Sequence, residues 1–146
     1  MDSTAGIAWI GAPGARDESP ANSYVPGVCN IGPAEIARRR RAGWTGAVIT
    51  VGAWAALAAF DAPPALRLLL FFPAMMSATG FLQAAMHFCA YFGFGALFNF
   101  GPEAGRGNTD TVVEAEFRAK DRRKAWQIVG YAVVAGLAVA GVAYLL

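Results

Sequence analysis

Charge is scarce in this chain. Only 15% of its 146 residues are Asp, Glu, Lys or Arg, against about 25% in ordinary soluble domains. None of them lies within residues 42–60, 68–100 or 125–146, while 56% of all residues are hydrophobic. Small domains bury the smallest fraction of their surface, so a water-soluble globule of this length could not hide so much apolar area. A disordered chain is excluded, the composition argues against a water-soluble globule, and an integral membrane protein is what remains. Histidine is scarcer still, with His87 alone. A haem held by two histidines would need a second, and one histidine serves no convincing Ser/His/Asp set. The patterns GxSxG, HExxH, GxGxxG and GK[ST] are missing, and with them the commonest hydrolytic and phosphate-loop chemistries. Cysteine is limited to Cys29 and Cys89. With His87 they make three soft ligands where a structural zinc site wants four, so no metal is expected and the two thiols are read as inert. A net charge of +2 is too small to argue for nucleic acid. No ionisable residue falls at mid-span, where ion and proton pathways place them.

What is present is three apolar stretches. A bilayer core needs roughly 20 residues of helix. Residues 42–60 just suffice, and 125–146 fit comfortably. The run 65–100 is too long for one span and too short for two, so it reads as a span over 65–86 followed by an aromatic segment at the membrane interface, with a helical extension out of the membrane or a re-entrant piece as the alternatives. Gly32-Pro33-Ala34-Glu35 reads as a helix start, with proline in the first turn and a carboxylate beside it, which extends the first helix to 33–60. Pro73 should kink the second span near Leu69. Residues 101–110 form a loop by composition. Thr111 to Glu114 matches a capping box, with Glu114/Arg118 and Glu116/Lys120 at ion-pair spacing behind it. The fold expected is all-α, with three transmembrane helices and an extended tail over 1–32. The segments are 1–32, 33–60, 65–100, a loop and helix start at 101–124, and a third span at 125–146.

Two basic clusters set the orientation. Arg38–Arg41 precede the first span, and Arg118, Lys120, Arg122, Arg123 and Lys124 precede the third. The positive-inside bias places both in the cytoplasm. The N-terminus is then cytoplasmic and the C-terminus periplasmic, in a bacterial inner membrane. Residues 1–30 carry three prolines and no apolar core, so they do not read as a signal peptide. Trp44 and Trp126 follow their clusters at headgroup level.

Candidate contact residues follow from composition. Ala132, Gly136 and Ala140 recur at four-residue spacing, as do Val48, Gly52 and Ala56, and small faces let helices approach closely in lipid. In the tail, Trp9 and Ile10 are the candidate anchors on a partner, because scattered apolar residues among Gly, Pro and Ser cannot form a core of their own. The partners expected are other membrane-protein subunits and the lipid bilayer.

The motif Cys29-Asn30-Ile31-Gly32-Pro33-Ala34-Glu35-Ile36, with His87-Phe88-Cys89 and Phe98-Asn99-Phe100-Gly101, resembles a group of small bacterial multi-pass membrane proteins. The resemblance covers about residues 30–101. It implies a bacterial inner membrane and carries no catalytic residue. The reading is a non-catalytic accessory subunit of a larger membrane complex, with an energy-converting one, respiratory or photosynthetic, as the expected class. No cofactor is expected. The alternative is a haem- or bacteriochlorophyll-binding protein with His87 as axial ligand and the aromatics of 88–100 around the ring. Light-harvesting polypeptides place Ala four residues before that histidine, and this chain has Gln83 there.

Overall fold

The computed structural model describes residues 23–105, 107 and 109–146. Trp9 and Ile10 lie outside the described residues. Three helical segments are long and apolar enough to cross a membrane: Pro33–Ala59, Pro64–Ala85 and Ala115–Leu145. Most of their surface faces outward, as lipid-exposed helices require.

Helix α1 (Pro33–Ala59) begins where expected, with Gly32 as N-cap, Pro33 in the first turn and Glu35 behind it. It ends in a Schellman turn: the Ala62 amide donates to the Leu57 carbonyl at 3.0 Å, and Asp61 takes the left-handed position with φ of 47°. The second span opens with α2 (Pro64–Arg67), passes through a 3-10 turn at Leu68–Leu70 and continues as α3 (Phe71–Ala85). That irregular turn lies where Pro73 was expected to act, because proline deletes one backbone bond and its ring crowds the carbonyl four residues earlier.

α3 also ends in a Schellman turn. The Phe88 amide donates to the Gln83 carbonyl at 3.0 Å, and His87 holds the left-handed position with φ of 52°. The aromatic segment beyond it folds back as α4 (Ala90–Gly95) and β1 (Leu97–Phe98). β1 pairs antiparallel with β2 (Asp110–Thr111), Leu97 opposite Thr111. Within this aromatic segment Phe88 and Phe92 are core residues, and Tyr91 and Phe94 stay exposed. α5 (Ala115–Leu145) follows. The capping box does not form. Thr111 sits in β2, Glu114 is the N-cap with no side-chain cap bond, and pairing with β1 holds Thr111 away from the helix start. Of the two expected ion pairs, Glu116–Lys120 closes at 2.8 Å; Glu114 instead accepts the Arg118 amide through its carbonyl.

α3 is the central element, packed against α1 on one side and α5 on the other. The α1–α3 contact is built on glycine. A methyl group placed on Gly80 would lie 2.7 Å from the Arg39 carbonyl oxygen and from Gly43 Cα, and one on Gly46 would lie 2.6 Å from the Ser77 amide nitrogen. The Ser77 hydroxyl donates to the Gly43 carbonyl at 2.9 Å. On the other side, Gly136 lies against Phe71 and Met75, and Ala132, Gly136 and Ala140 are all buried. The third helix therefore uses its small-residue face inside the chain.

Candidate functional site

At one end of the bundle, four distant segments converge on a polar cluster. Asn30, Glu35, Asn99 and Asp121 are each at most 1% exposed. Burying polar groups is unfavourable unless each finds partners, and here the partners are mainly backbone. Asn30 clasps Cys89 from both directions: its Nδ2 donates to the Cys89 carbonyl at 3.0 Å, and its Oδ1 accepts the Cys89 amide at 2.7 Å. The backbone of Asn30 also bonds His87 and Asn99. Asn99 Oδ1 accepts the Gly101 amide at 2.9 Å, and its Nδ2 is shared among Glu35 Oε1 and the carbonyls of Glu103 and Gly105. Glu35 Oε1 accepts the Gly105 amide at 2.6 Å, tying the 101–110 loop to the first turn of α1. Apolar contacts seal the cluster, with Ile31, Cys89 and Phe92 packed together and Phe88 set against Ala125 and Ile128 of α5.

Arg39 joins α1 to this cluster. Its Nη2 lies 3.4 Å from Glu35 Oε2 and donates to Cys89 Sγ at 3.0 Å. Burial pushes the Cys89 thiol up from its ordinary pKa, against the pull of the Arg39 charge. Burial likewise raises Cys29, whose Sγ donates to the Ile31 carbonyl at 3.7 Å. Both sulfurs are therefore neutral thiols near neutral pH and weak nucleophiles. No group of three or more metal-binding side chains occurs among the described residues.

A second anchor lies beside the first. Asp121, in the second turn of α5, is fully buried and holds a tight turn at Val25–Cys29. Its Oδ2 accepts the Tyr24 hydroxyl and its Oδ1 accepts the Gly27 amide, both at 2.7 Å. Gly27 has φ of 70°, a conformation that glycine adopts at no steric cost. Tyr24 stacks on Phe98 with centroids 4.8 Å apart. Burial raises the Tyr24 pKa well above its usual 10.0, reinforced by the bond to the Asp121 carboxylate.

The other candidate residues are dispersed. His87 is exposed and serves as the left-handed residue closing α3, and it lines neither the apolar cleft beside Trp54 and Val142 nor the polar cleft beside Lys120 and Lys124. Gly52 and Ala56 face outward on α1, and nothing lies within 4 Å of the Gly52 Cβ position. Of the aromatics, Phe92 lies under the Arg39 guanidinium, 5.9 Å from its ring centre, and Phe94 meets Trp126 edge-on at 5.0 Å. Asn30, Glu35, Asn99 and Asp121 were not singled out as contact residues from sequence. The available signal was the trio of segments at 29–36, 87–89 and 98–101, which the fold brings to one place.

No protein-family model, curated protein or solved structure matches the chain.

Proposed function

We propose that this chain is a non-catalytic accessory subunit of a larger assembly in a bacterial inner membrane, with both basic clusters cytoplasmic. The polar cluster supports the reading. Its buried carboxylates and amides bind backbone groups of three segments, at Gly27, at Cys89 and at 101–105, and its sulfurs are protonated, so this chemistry serves to fasten a cap onto the spans. The cap meets the basic end of α1 through Arg39 and the basic start of α5 through Asp121, so both clusters sit at one end of the bundle.

The observation that carries the reading is the outward face of α1. Trp44, Val48 and Val51 are exposed, and Gly52 and Ala56 interrupt them with open small positions, a surface suited to close packing with a helix of another subunit. The test is mild-detergent co-purification of the tagged full chain from its own membranes, with partners identified by mass spectrometry. Gly52→Ile together with Ala56→Ile should strip a membrane-protein partner several-fold while Cys29 and Cys89 stay protected from alkylation. Undiminished recovery of every partner would remove α1 as the contact. A visible absorption band lost in His87→Gly would overturn the non-catalytic reading in favour of a bound pigment. Glycine is the natural residue for that left-handed turn, so this variant separates ligation from folding.

A further inference from the structure

The docked turn at Pro26–Gly27 forms one wall of a second feature. Together with the outward face of α5 it encloses a cleft of about 490 Å³, lined by Glu116, Lys120, Arg123, Lys124 and Gln127. These positions recur every three to four residues and so share one face of the helix. The charge is lopsided, with three cations to one carboxylate. Glu116 is held by Lys120 at 2.8 Å, whereas Arg123 and Lys124 have no ion-pair partner among the described residues. Lys120 contributes its stem to the wall, since a methyl group on Gly27 would lie 3.2 Å from Lys120 Cβ.

We propose that this cleft binds the phosphate-bearing headgroup of an anionic phospholipid, with Arg123 and Lys124 on the phosphate. Its depth favours lipid over a soluble phosphate. Lys124 is the last charged residue of the chain, and the apolar part of α5 begins at Ala125. Gln127 extends the cleft past that boundary, and the exposed Trp126 marks the same level of the helix, as interfacial tryptophans do. A ligand here has its head among cations and its chains along the apolar helix. Basic pockets at this level are the physical basis of anionic-lipid selectivity. The Lys120–Glu116 pair leaves two cations for the phosphate and gives the cleft a neutral rim, which suits a diester with one negative charge.

The test uses the full chain, purified and delipidated in mild detergent, with lipid retention followed by native mass spectrometry. Phosphatidylglycerol should be retained about tenfold more strongly than phosphatidylcholine, and Arg123→Gln with Lys124→Gln should erase that preference. Arg118→Gln with Arg122→Gln removes the same charge from other faces of α5 and should change retention less than about twofold. Equal losses in both double variants would show a diffuse positive surface and overturn the site. Displacement by glycerol 3-phosphate as effective as by the lipid would make this a soluble-phosphate site and overturn the lipid assignment. Asp17→Asn with Glu18→Gln should leave retention unchanged; a tenfold rise would show that the chain's own acidic segment competes for the cleft. Protection of Cys29 and Cys89 from alkylation confirms folding in every variant.

Discussion

Asp121 and Tyr24 form a long-range bond in the cap, joining residues 97 positions apart. Asp121→Ala leaves the Gly27 amide and the Tyr24 hydroxyl without their acceptor, which should cost about 2–4 kcal/mol. Tyr24→Phe loses one charge-assisted bond in a partly buried setting and should cost about 1–2 kcal/mol. Both are measured by detergent unfolding, read as alkylation of the buried thiols. The pair also sets a pH dependence. The folded pKa of Tyr24 is raised, so the stabilisation is fully present below the unfolded value of 10.0 and is lost as pH rises through and beyond it. Unfolding should therefore become easier above pH 10, and Tyr24→Phe should remove that added sensitivity. An identical alkaline profile in the variant would place its origin elsewhere.

Helix α3 owes its central place to small residues at its faces. Gly80 and Ser77 meet Gly43 and Gly46 of α1 closely enough that backbone touches backbone, and such contacts replace the hydrophobic drive that lipid cannot supply. Gly80→Leu should separate the two helices and destabilise the fold by about 1–3 kcal/mol or more. Gly52→Ala, one face away, should be neutral or slightly stabilising in the isolated protein, because its Cβ position is open and alanine is the better helix former by about 1 kcal/mol. Thermal unfolding in the same detergent separates the two. Equal effects would mean that the glycines act through backbone entropy and not through approach. At the far end of the second span, Arg67 donates to the Ala143 carbonyl at 3.4 Å, placing a cation at the C-terminus of α5 where the helix dipole favours one.

For the molecule in its membrane, the expected arrangement is N-terminus cytoplasmic and C-terminus periplasmic. Alkaline phosphatase fused after Leu146 should be active, and fused near Gly105 inactive. The reverse pattern would overturn the three-span orientation. The three spans, the start at Pro33 and the disturbance ahead of Pro73 were legible because each rests on local chemistry: apolar run length, missing charge and proline geometry. The cap was not. Asn30 and Cys89 are 59 residues apart, and Glu35 and Asn99 are 64 apart. Each looks in sequence like a loop amide or a first-turn carboxylate, because nothing local records that a distant backbone will come to it.

Composition and length alone therefore determined that the chain has three segments long and apolar enough to cross a membrane as helices, since a bilayer core accepts segments whose backbone groups are satisfied within the helix and whose side chains are mostly apolar. Which faces meet was decided by tertiary structure. Two small-residue patterns of the same appearance, one ending at Ala56 and one at Ala140, had opposite outcomes. Gly136 and its neighbours are buried against Phe71 and Met75, while Gly52 and Ala56 are left open. Phe88 and Phe92 of the aromatic run likewise turn inward, where Asn30 and Gln83 supply bonds for the backbone of Cys89 and Ala90 between them. Pairing a buried polar group depends on where two remote segments stop in space, a property of the folded bundle that neither segment carries by itself.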